Sequence, residues 1–363
     1  MYIKNLELIN FRNYEKLNLE FSKDVNLILG NNAQGKTNLI EAIYITSMGK
    51  SFRTNKDNEM VLFQKDFAKI KVDAEKSYST TNVEIIINKE SKKSIKKDGS
   101  QIKRTSELLD NILLVIFSPE DLKIVKDEPE KRRKFIDREL CQIMPRYYDN
   151  LSRYKKVLLQ RNIYLKENDI DQSILDIWDM QLSNYGANVI KIREKFIKKI
   201  SEISSDVHGN ITNQKEKLKI EYNSNIQIKE TKKEQQEFFY EEIKKAFQND
   251  LKQRTTTKGP HKDDLSFFVN GINMRSFGSQ GQQRTCALSL KLAELNLIKE
   301  ETGEDAILLL DDVMSELDIQ RQEFLVKSLK DIQFFITTTD IEEKLKKSFP
   351  TAKIFYVEKG KIL

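Results

Sequence analysis

Cysteine and histidine are nearly missing from this chain. Its 363 residues hold two of each, Cys141 and Cys286, His208 and His261. The cysteines are far apart and lack metal-ligand spacing, so they read as free buried thiols in a reducing compartment. Two histidines argue against a His/Cys zinc centre and against a Ser-His-Asp triad. Tryptophan occurs once, at Trp178, where a packing role in a helical arm suffices. Long apolar runs are missing too. Ile112–Phe117 and Ala306–Leu310 are strand-sized, well short of the ~18 residues a membrane span needs. The opening Met1–Asn5 alternates like a strand and lacks the basic and apolar regions of a signal peptide. The expectation is a cytoplasmic protein with no membrane partner.

Charge, by contrast, is plentiful. Charged residues make up 33% of the chain and hydrophobic ones 39%, with 62 Lys and Arg against 56 Asp and Glu. The net charge of +6 is a weak signal at this length, and lysine runs are usually solvated faces. Two clusters are denser, Lys89–Arg104 and Lys123–Arg138, the second containing Lys131-Arg132-Arg133-Lys134. Charge alone makes both candidates for nucleic-acid contact. The length suggests two domains.

The chemistry sits at the two ends. Gly30-Asn31-Asn32-Ala33-Gln34-Gly35-Lys36-Thr37 fits G-x-x-x-x-G-K-[ST]. The run Val25–Leu29 before it reads as a buried strand. Leu39, Ile40, Ile43 and Tyr44 after it have helical spacing. Strand, loop and helix form the setting a phosphate loop requires. Its glycines let backbone N–H groups turn toward phosphate oxygens, at a helix N-terminus whose dipole favours anions. Lys36 should reach the β- and γ-phosphates and Thr37 should hold Mg2+. Roughly 275 residues after Lys36 comes the apolar run Ile307–Leu310, closed by Asp311 and Asp312. Asp311 is placed as the Mg2+-associated carboxylate and Asp312 as the catalytic one. Just upstream, Ser279-Gln280-Gly281-Gln282 offers a hydroxyl and a helix N-terminus suited to a γ-phosphate. Alone it could equally be a helix cap.

Between these ends the pattern is helical. Apolar residues recur from Phe135 to Ile163, with Pro145 expected to kink or break the run. A second series runs from Ile174 to Ile203, after a turn at Asn168-Asp169. Together they read as an antiparallel arm. Leu218–Tyr222 and Leu265–Val269 suggest strands, Lys232–Leu251 a helix, and Asn270-Gly271 a hairpin turn. The expected division is 1–125 and 259–363 as two halves of one head, around an inserted arm domain at 126–258.

The order of these motifs is that of ABC-type ATPases, and the residues resemble the RecF family of bacterial recombinational-repair proteins. The specific marks are Asn10–Tyr14, Thr37–Tyr44, Gly49–Arg53, Phe117–Leu122, Gly259–Asp264, Gly278–Arg284 and Leu310–Asp318. This resemblance implies an α/β fold: an ABC/SMC-like P-loop ATPase head, a mixed sheet with flanking helices, carrying a mainly helical arm. It implies ATP and Mg2+ as cofactors, an ATP-dependent homodimer, and weak DNA-stimulated ATP hydrolysis used as a switch. It also implies binding to single-stranded, gapped or duplex DNA, and work with RecO and RecR in loading RecA, with links to replication and the SOS response. In such heads the serine-led loop completes the nucleotide site of a second protomer. Related heads also place an Arg near the phosphates, here Arg12, and a switch residue after the next strand. That place holds Thr337-Thr338-Thr339-Asp340 instead of a His, and Thr338 could hydrogen-bond a γ-phosphate. Asp312 replaces the usual Glu, which implies slow turnover. Phe117–Glu120 falls at the γ-phosphate-sensing loop but has no Gln. Ser315–Asp318 falls at the D-loop. His261 reads as a structural residue holding its loop. An ABC transporter ATPase subunit is the main alternative, and a monomeric small-molecule kinase a more distant one.

Overall fold

Alternation of apolar and polar residues sets the first strands. Strand β1 (Tyr2–Phe11) buries Ile3, Leu6 and Leu8, and β2 (Tyr14–Glu20) buries Tyr14, Leu17 and Leu19. The next strand, β3 (Val25–Leu29), is buried at every position. After a turn, α1 (Lys36–Met48) begins at the lysine. Strands β4 (Phe67–Glu75) and β5 (Thr80–Asn88) alternate again, burying every second residue. Two short strands, β6 (Ser94–Lys97) and β7 (Ser100–Gln101), precede β8 (Leu114–Phe117), which is wholly buried. This computed structural model describes residues 1–329, 331–339 and 349–363.

The central part is mostly helix: α2 (Pro129–Ile143), α3 (Pro145–Tyr164) and α4 (Gln172–Ile211). Pro145 does break the run. It starts α3 as its first residue, where its missing N–H costs nothing. At 40 residues, α4 spans about 60 Å. Strand β9 (Leu218–Asn223) and α5 (Lys232–Gln253) follow, with a Thr231/Glu234 capping box at the start of α5. Then come β10 (Asp264–Val269), β11 (Ile272–Asn273), the single turn α6 (Met274–Phe277) and α7 (Gln280–Thr302). The chain closes with β12 (Ile307–Asp311), α8 (Ile319–Ser328), β13 (Phe334–Thr338), β14 (Lys353–Glu358) and β15 (Lys361–Ile362).

Contacts divide the chain into two units, Met1–Leu122 with Leu290–Leu363, and Lys123–Ser289. The first holds two sheets. One is antiparallel, in the order β2-β1-β4-β5-β6-β7. The other runs β15-β14-β3-β13-β12-β8 and is parallel except for the β14–β15 hairpin. This second sheet joins β3 and β8, before the arm, to four strands that follow it. The all-buried runs of β3, β8, β12 and β13 suit strands covered on both faces. In the second unit β10 pairs with β9, which draws residues 259–289 into the same unit as the helices.

Buried arginines organise this second unit. Arg161 is fully enclosed, 2.6 Å from Asp179, 2.8 Å from Asp250 and 2.8 Å from the Thr256 hydroxyl. Arg193 reaches Asp137, Asp263 and the Pro260 carbonyl. Buried pairs of this kind fix one arrangement more than they add net stability. His261 belongs to the same set. Its Nε2 lies 2.9 Å from the Thr256 carbonyl, which can only accept, so Nε2 carries the proton. Nδ1 therefore accepts from the Tyr154 hydroxyl at 2.6 Å. Both nitrogens are engaged, as a loop-holding histidine requires. Burial pushes its pKa down to about 4. Between pH 6.5 and 4 the unfolded chain takes up a proton that the folded ring refuses. Stability from this residue should fall across that window, by up to about 1.4 kcal/mol per pH unit. Thermal unfolding against pH should show this slope in the wild type and lose it in His261→Gln.

Among the described residues no helix is long and apolar enough to cross a membrane. Cys141 and Cys286 are both buried and form no disulfide.

Candidate functional site

The carboxyl ends of the parallel strands gather residues that are distant in sequence. Leu29, Thr338 and Asp311 end three adjacent strands. Ligand crevices in open α/β sheets form outside such ends. The loop from Gly30 through Asn31, Asn32, Ala33, Gln34 and Gly35 leaves β3 here. Gly30 has φ 153°, and a side chain there would collide with the Val357 carbonyl. Gly35 has φ 121°, and its Cβ would lie 2.7 Å from the Asn13 amide. Only glycine fits either place. The loop is braced through its carbonyls. Asn13 Nδ2 donates to Gln34 O at 2.8 Å, and the Gly360 N–H donates to the same oxygen at 3.1 Å. The Tyr14 hydroxyl donates to Gly35 O at 3.1 Å.

Lys36 folds back into its own loop. Its Nζ donates to the carbonyls of Gly30 at 2.8 Å and Asn31 at 3.2 Å. Beside it the Thr37 hydroxyl donates to Asp311 Oδ1 at 3.0 Å, across 274 residues of sequence. The Thr337 hydroxyl donates to the same oxygen at 2.8 Å. Burial raises the Asp311 pKa above the ordinary carboxylate value, against the two threonine hydrogen bonds that lower it. Asp312 has a left-handed backbone, φ 52°, pinned by its N–H to the hydroxyl of Thr337 at 2.9 Å. Burial raises its pKa too, opposed by the charge of Lys36. Oxygen donors alone, a hydroxyl and a carboxylate, suit a hard divalent cation such as Mg2+. The braced cradle with its lysine suits a triphosphate. The residues present therefore fit ATP and Mg2+.

Thr338 is buried at the end of β13, beside Leu29. Asp340 lies outside the described residues. Asp318 caps α8 through the Arg321 N–H, and Ser315 donates to the Asp312 carbonyl at 2.9 Å. Ser118, after β8, bonds Asp121 through both its N–H and its hydroxyl.

Arg12 sits on Glu41, a fully buried residue of α1. Nε and Nη2 grip the two carboxylate oxygens at 2.8 and 2.6 Å, and Nη1 donates to the Glu59 carbonyl. Arg53 adds a contact to Glu41 at 3.3 Å and one to Asn38 at 2.7 Å. Sequence reasoning singled out Arg12, and Thr337 as part of the switch place, but gave no role to Glu41, Asn13 or Arg53. Their signal was present: Asn10–Tyr14 and Gly49–Arg53 are two of the marked segments, and both converge on the phosphate loop and its helix.

Ser279, Gln280, Gly281 and Gln282 lie in the second unit, at the start of α7. Ser279 and Gln280 are exposed. The Gln282 N–H donates to Ser279 Oγ at 3.2 Å, and the Ser279 N–H to Gln282 Oε1 at 3.1 Å. The segment is thus a reciprocal capping box with its serine at the surface.

The basic run Lys131–Lys134 offers less free charge than its sequence suggested. Arg132 is buried against Asp264 at 2.6 Å, and Arg133 donates to the Asp263 carbonyl. Lys131 and Lys134 pair with Asp127 and Glu130 one turn away.

A glycine cradle and a strand-end Asp pair on a largely parallel sheet, with a helical unit inserted between them, define an ABC/SMC-type ATPase head. Residues 2–121 match the family model of the RecF/RecN/SMC N-terminal domain. The Smc head domain from Pyrococcus furiosus, solved with an extended coiled coil, shares the fold at TM-score 0.54 and 16% identity, covering 100% of this chain and 96% of that one. Over its full length the chain is 47% identical to the DNA replication and repair protein RecF of Alkaliphilus oremlandii, covering 100% of both. It superposes on the recombination mediator protein RecF-ATPrS of the RecFOR pathway with TM-score 0.92 and 38% identity, across 99% of this chain and 97% of that one. The chain belongs to the RecF family.

Proposed function

We propose that this chain is an ATP-gated DNA-binding protein of recombinational repair and replication, acting in the cytoplasm. Two heads close on two nucleotides, DNA is held while they are closed, and slow hydrolysis releases it. The observation that carries this reading is the Thr37–Asp311 pair, brought to 3.0 Å beside the Gly30–Gly35 cradle. A cation site and a phosphate site are adjacent there. Relatives solved as RecF-ATP and RecF-ATPrS support the choice of nucleotide. Full-length family membership speaks against the transporter and kinase alternatives.

Each residue has a task in this reading. Loop N–H groups and Lys36 hold the phosphates. Thr37 and Asp311 would hold Mg2+, which supplies neutralisation of phosphate charge when bound. Asp312 orients the attacking water and receives its proton. Thr338 offers a hydroxyl near the γ-phosphate. Arg12 steadies α1 through Glu41. Ser279–Gln282 of a second copy completes the site. An Asp in place of Glu, and threonines in place of the switch His, favour a switch over a fast motor. The partners implied by family are RecO and RecR, with RecA loading at gapped DNA as the outcome.

Light scattering with and without ATP and DNA tests this reading. Wild-type protein should dimerise only with ATP. Ser279→Arg should bind ATP as wild type does yet stay monomeric, because a bulky cation would occupy the exposed serine position. Normal dimers of Ser279→Arg would refute the role in trans. DNA affinity should be largely sequence-independent and fall steeply with salt, since phosphate contacts dominate it.

A further inference from the structure

The serine-led segment is tied to the long helix α4 by a closed ring of hydrogen bonds that nucleotide contact does not require. Gln282 works in two directions. Its Oε1 accepts from the Ser279 N–H, and its Nε2 donates to Glu216 Oε1 at 2.9 Å. The other Glu216 oxygen, Oε2, lies 3.1 Å from Nε2 of His208, on the last turn of α4 and fully buried. On the far side of the ring, Nδ1 lies 3.0 Å from the buried Ser289 hydroxyl. Ser289 donates to the Thr285 carbonyl at 2.8 Å, and the Thr285 hydroxyl donates to the Gly281 carbonyl at 2.9 Å. The path leaves the segment at Gln282 and returns to it at Gly281. Glu216 is the link that joins the Gln282 side chain to His208.

We propose that Glu216 is a positioning residue for the nucleotide reaction: through Gln282 it transmits the position of the α4 terminus to the Ser279 backbone. This rests on the reading that Ser279–Gln282 completes the site of a second copy. Three features support it. The Gln282 amide has one orientation that serves both neighbours, because the Ser279 N–H needs an acceptor and the carboxylate needs a donor. His208 cannot turn without breaking contacts on both sides. The thiol of Cys286, one turn along α7 from Gln282, is pushed up to about 12 by burial and then by the charge of Glu216, so the carboxylate bears on this helix. A shift or rotation of α4 at His208 would move the Glu216 carboxylate, and with it the serine offered to the partner copy. Arm position and head closure are coupled at this point.

Three full-length variants test the coupling: Glu216→Ala, Glu216→Gln and, as the reference, Ser279→Arg. Thermal unfolding checks that each is folded. ATP affinity is read at low protein concentration with a fluorescent ATP analogue, ATP-dependent dimerisation by light scattering, and turnover separately as kcat and KM. Glu216→Ala should keep the ATP affinity of the dilute chain within about twofold, weaken the dimer about tenfold and lower kcat in parallel. Glu216→Gln should restore most of the loss. Its Oε1 can accept from Gln282, and its amide can donate to the lone pair of Nε2 on a ring protonated at Nδ1, the nitrogen that faces Ser289 while the Ser289 proton goes to Thr285. If Glu216→Ala does not fold, Glu216→Asp takes its place. A carboxylate one methylene shorter cannot span Gln282 and His208 together, so the same defect should appear at smaller size. The inference is overturned if Glu216→Ala dimerises normally while Ser279→Arg does not, or if Glu216→Gln is as defective as Glu216→Ala. It is equally overturned if ATP affinity of the dilute chain falls with dimerisation, which marks a general structural role. Normal dimers of Ser279→Arg would remove the underlying reading as well.

Discussion

Lys36→Met is expected to bind ATP about 100-fold more weakly than the wild type and to stay monomeric when ATP is added. Lys36 is only 4% exposed, and its ammonium lies within the cradle on the Gly30 and Asn31 carbonyls. A triphosphate would offer that ammonium a stronger acceptor than either carbonyl. A hydrogen bond to a charged group contributes about 1.5–3 kcal/mol, and contacts to two phosphates make about 100-fold a conservative figure. Methionine keeps the length and apolar stem of lysine but donates nothing. The fold should survive, since α1 is anchored by Leu39, Ile40 and Ile43 at zero exposure and by the buried Glu41 cluster. The loop loses its internal tie, so part of the effect will be disorder of the cradle. Fluorescent-nucleotide titration and light scattering, with thermal unfolding as the control, measure these separately. Wild-type ATP affinity in this variant would remove Lys36 from the site.

What could be read from sequence here is what is local. Val25–Leu29 and Lys36–Met48 were legible because a buried apolar strand and a helix spaced by Leu39, Ile40, Ile43 and Tyr44 next to a glycine loop need no information from elsewhere in the chain. The same holds for Pro145, which cannot donate a helical hydrogen bond, and for Asn270-Gly271, where φ values of 51° and 80° make a hairpin turn. The two-sheet division of the head was not legible. It rests on strand pairings between distant segments, and the sheets are tied by links such as the Ile3 N–H to Gln333 Oε1 at 2.7 Å, returned from Gln333 Nε2 to the Ile3 carbonyl at 2.8 Å, 330 residues apart. No local period encodes that. The Glu41 cluster was missed for a related reason. An acidic residue inside a helix reads as solvent-facing until its arginines are found, and those come from separate segments, at Arg12 and Arg53. Charge density misled at Lys131–Lys134, since the sequence cannot say that Arg132 points inward to Asp264. The serine-led segment was recognised by spacing, but its support from Glu216 and His208 is tertiary.

Asp312→Asn is expected to leave ATP binding intact and to lower turnover by about 100-fold or more, so that dimers persist after ATP is added. The substitution is clean on structural grounds. Asp312 sits at φ 52°, a left-handed conformation that Asn adopts as readily as Asp. Its N–H anchors to the Thr337 hydroxyl and carbonyl through the backbone alone, so that link is unaffected. What changes is the ability to accept a proton. A positioned general base contributes about 100- to 10,000-fold, and an amide cannot serve as one. Asp311 stays in place on Thr37 and Thr337, so the cation donors are unaltered. Asn also removes a negative charge beside bound phosphates, which lowers repulsion and favours the closed form further. The expected signature is therefore a split: unchanged nucleotide affinity of the dilute chain, slower phosphate release, and a longer-lived dimer by light scattering. A variant that binds ATP yet remains monomeric would argue against Asp312 as the catalytic carboxylate. One that turns over at the wild-type rate would move that role to another residue at the same strand ends.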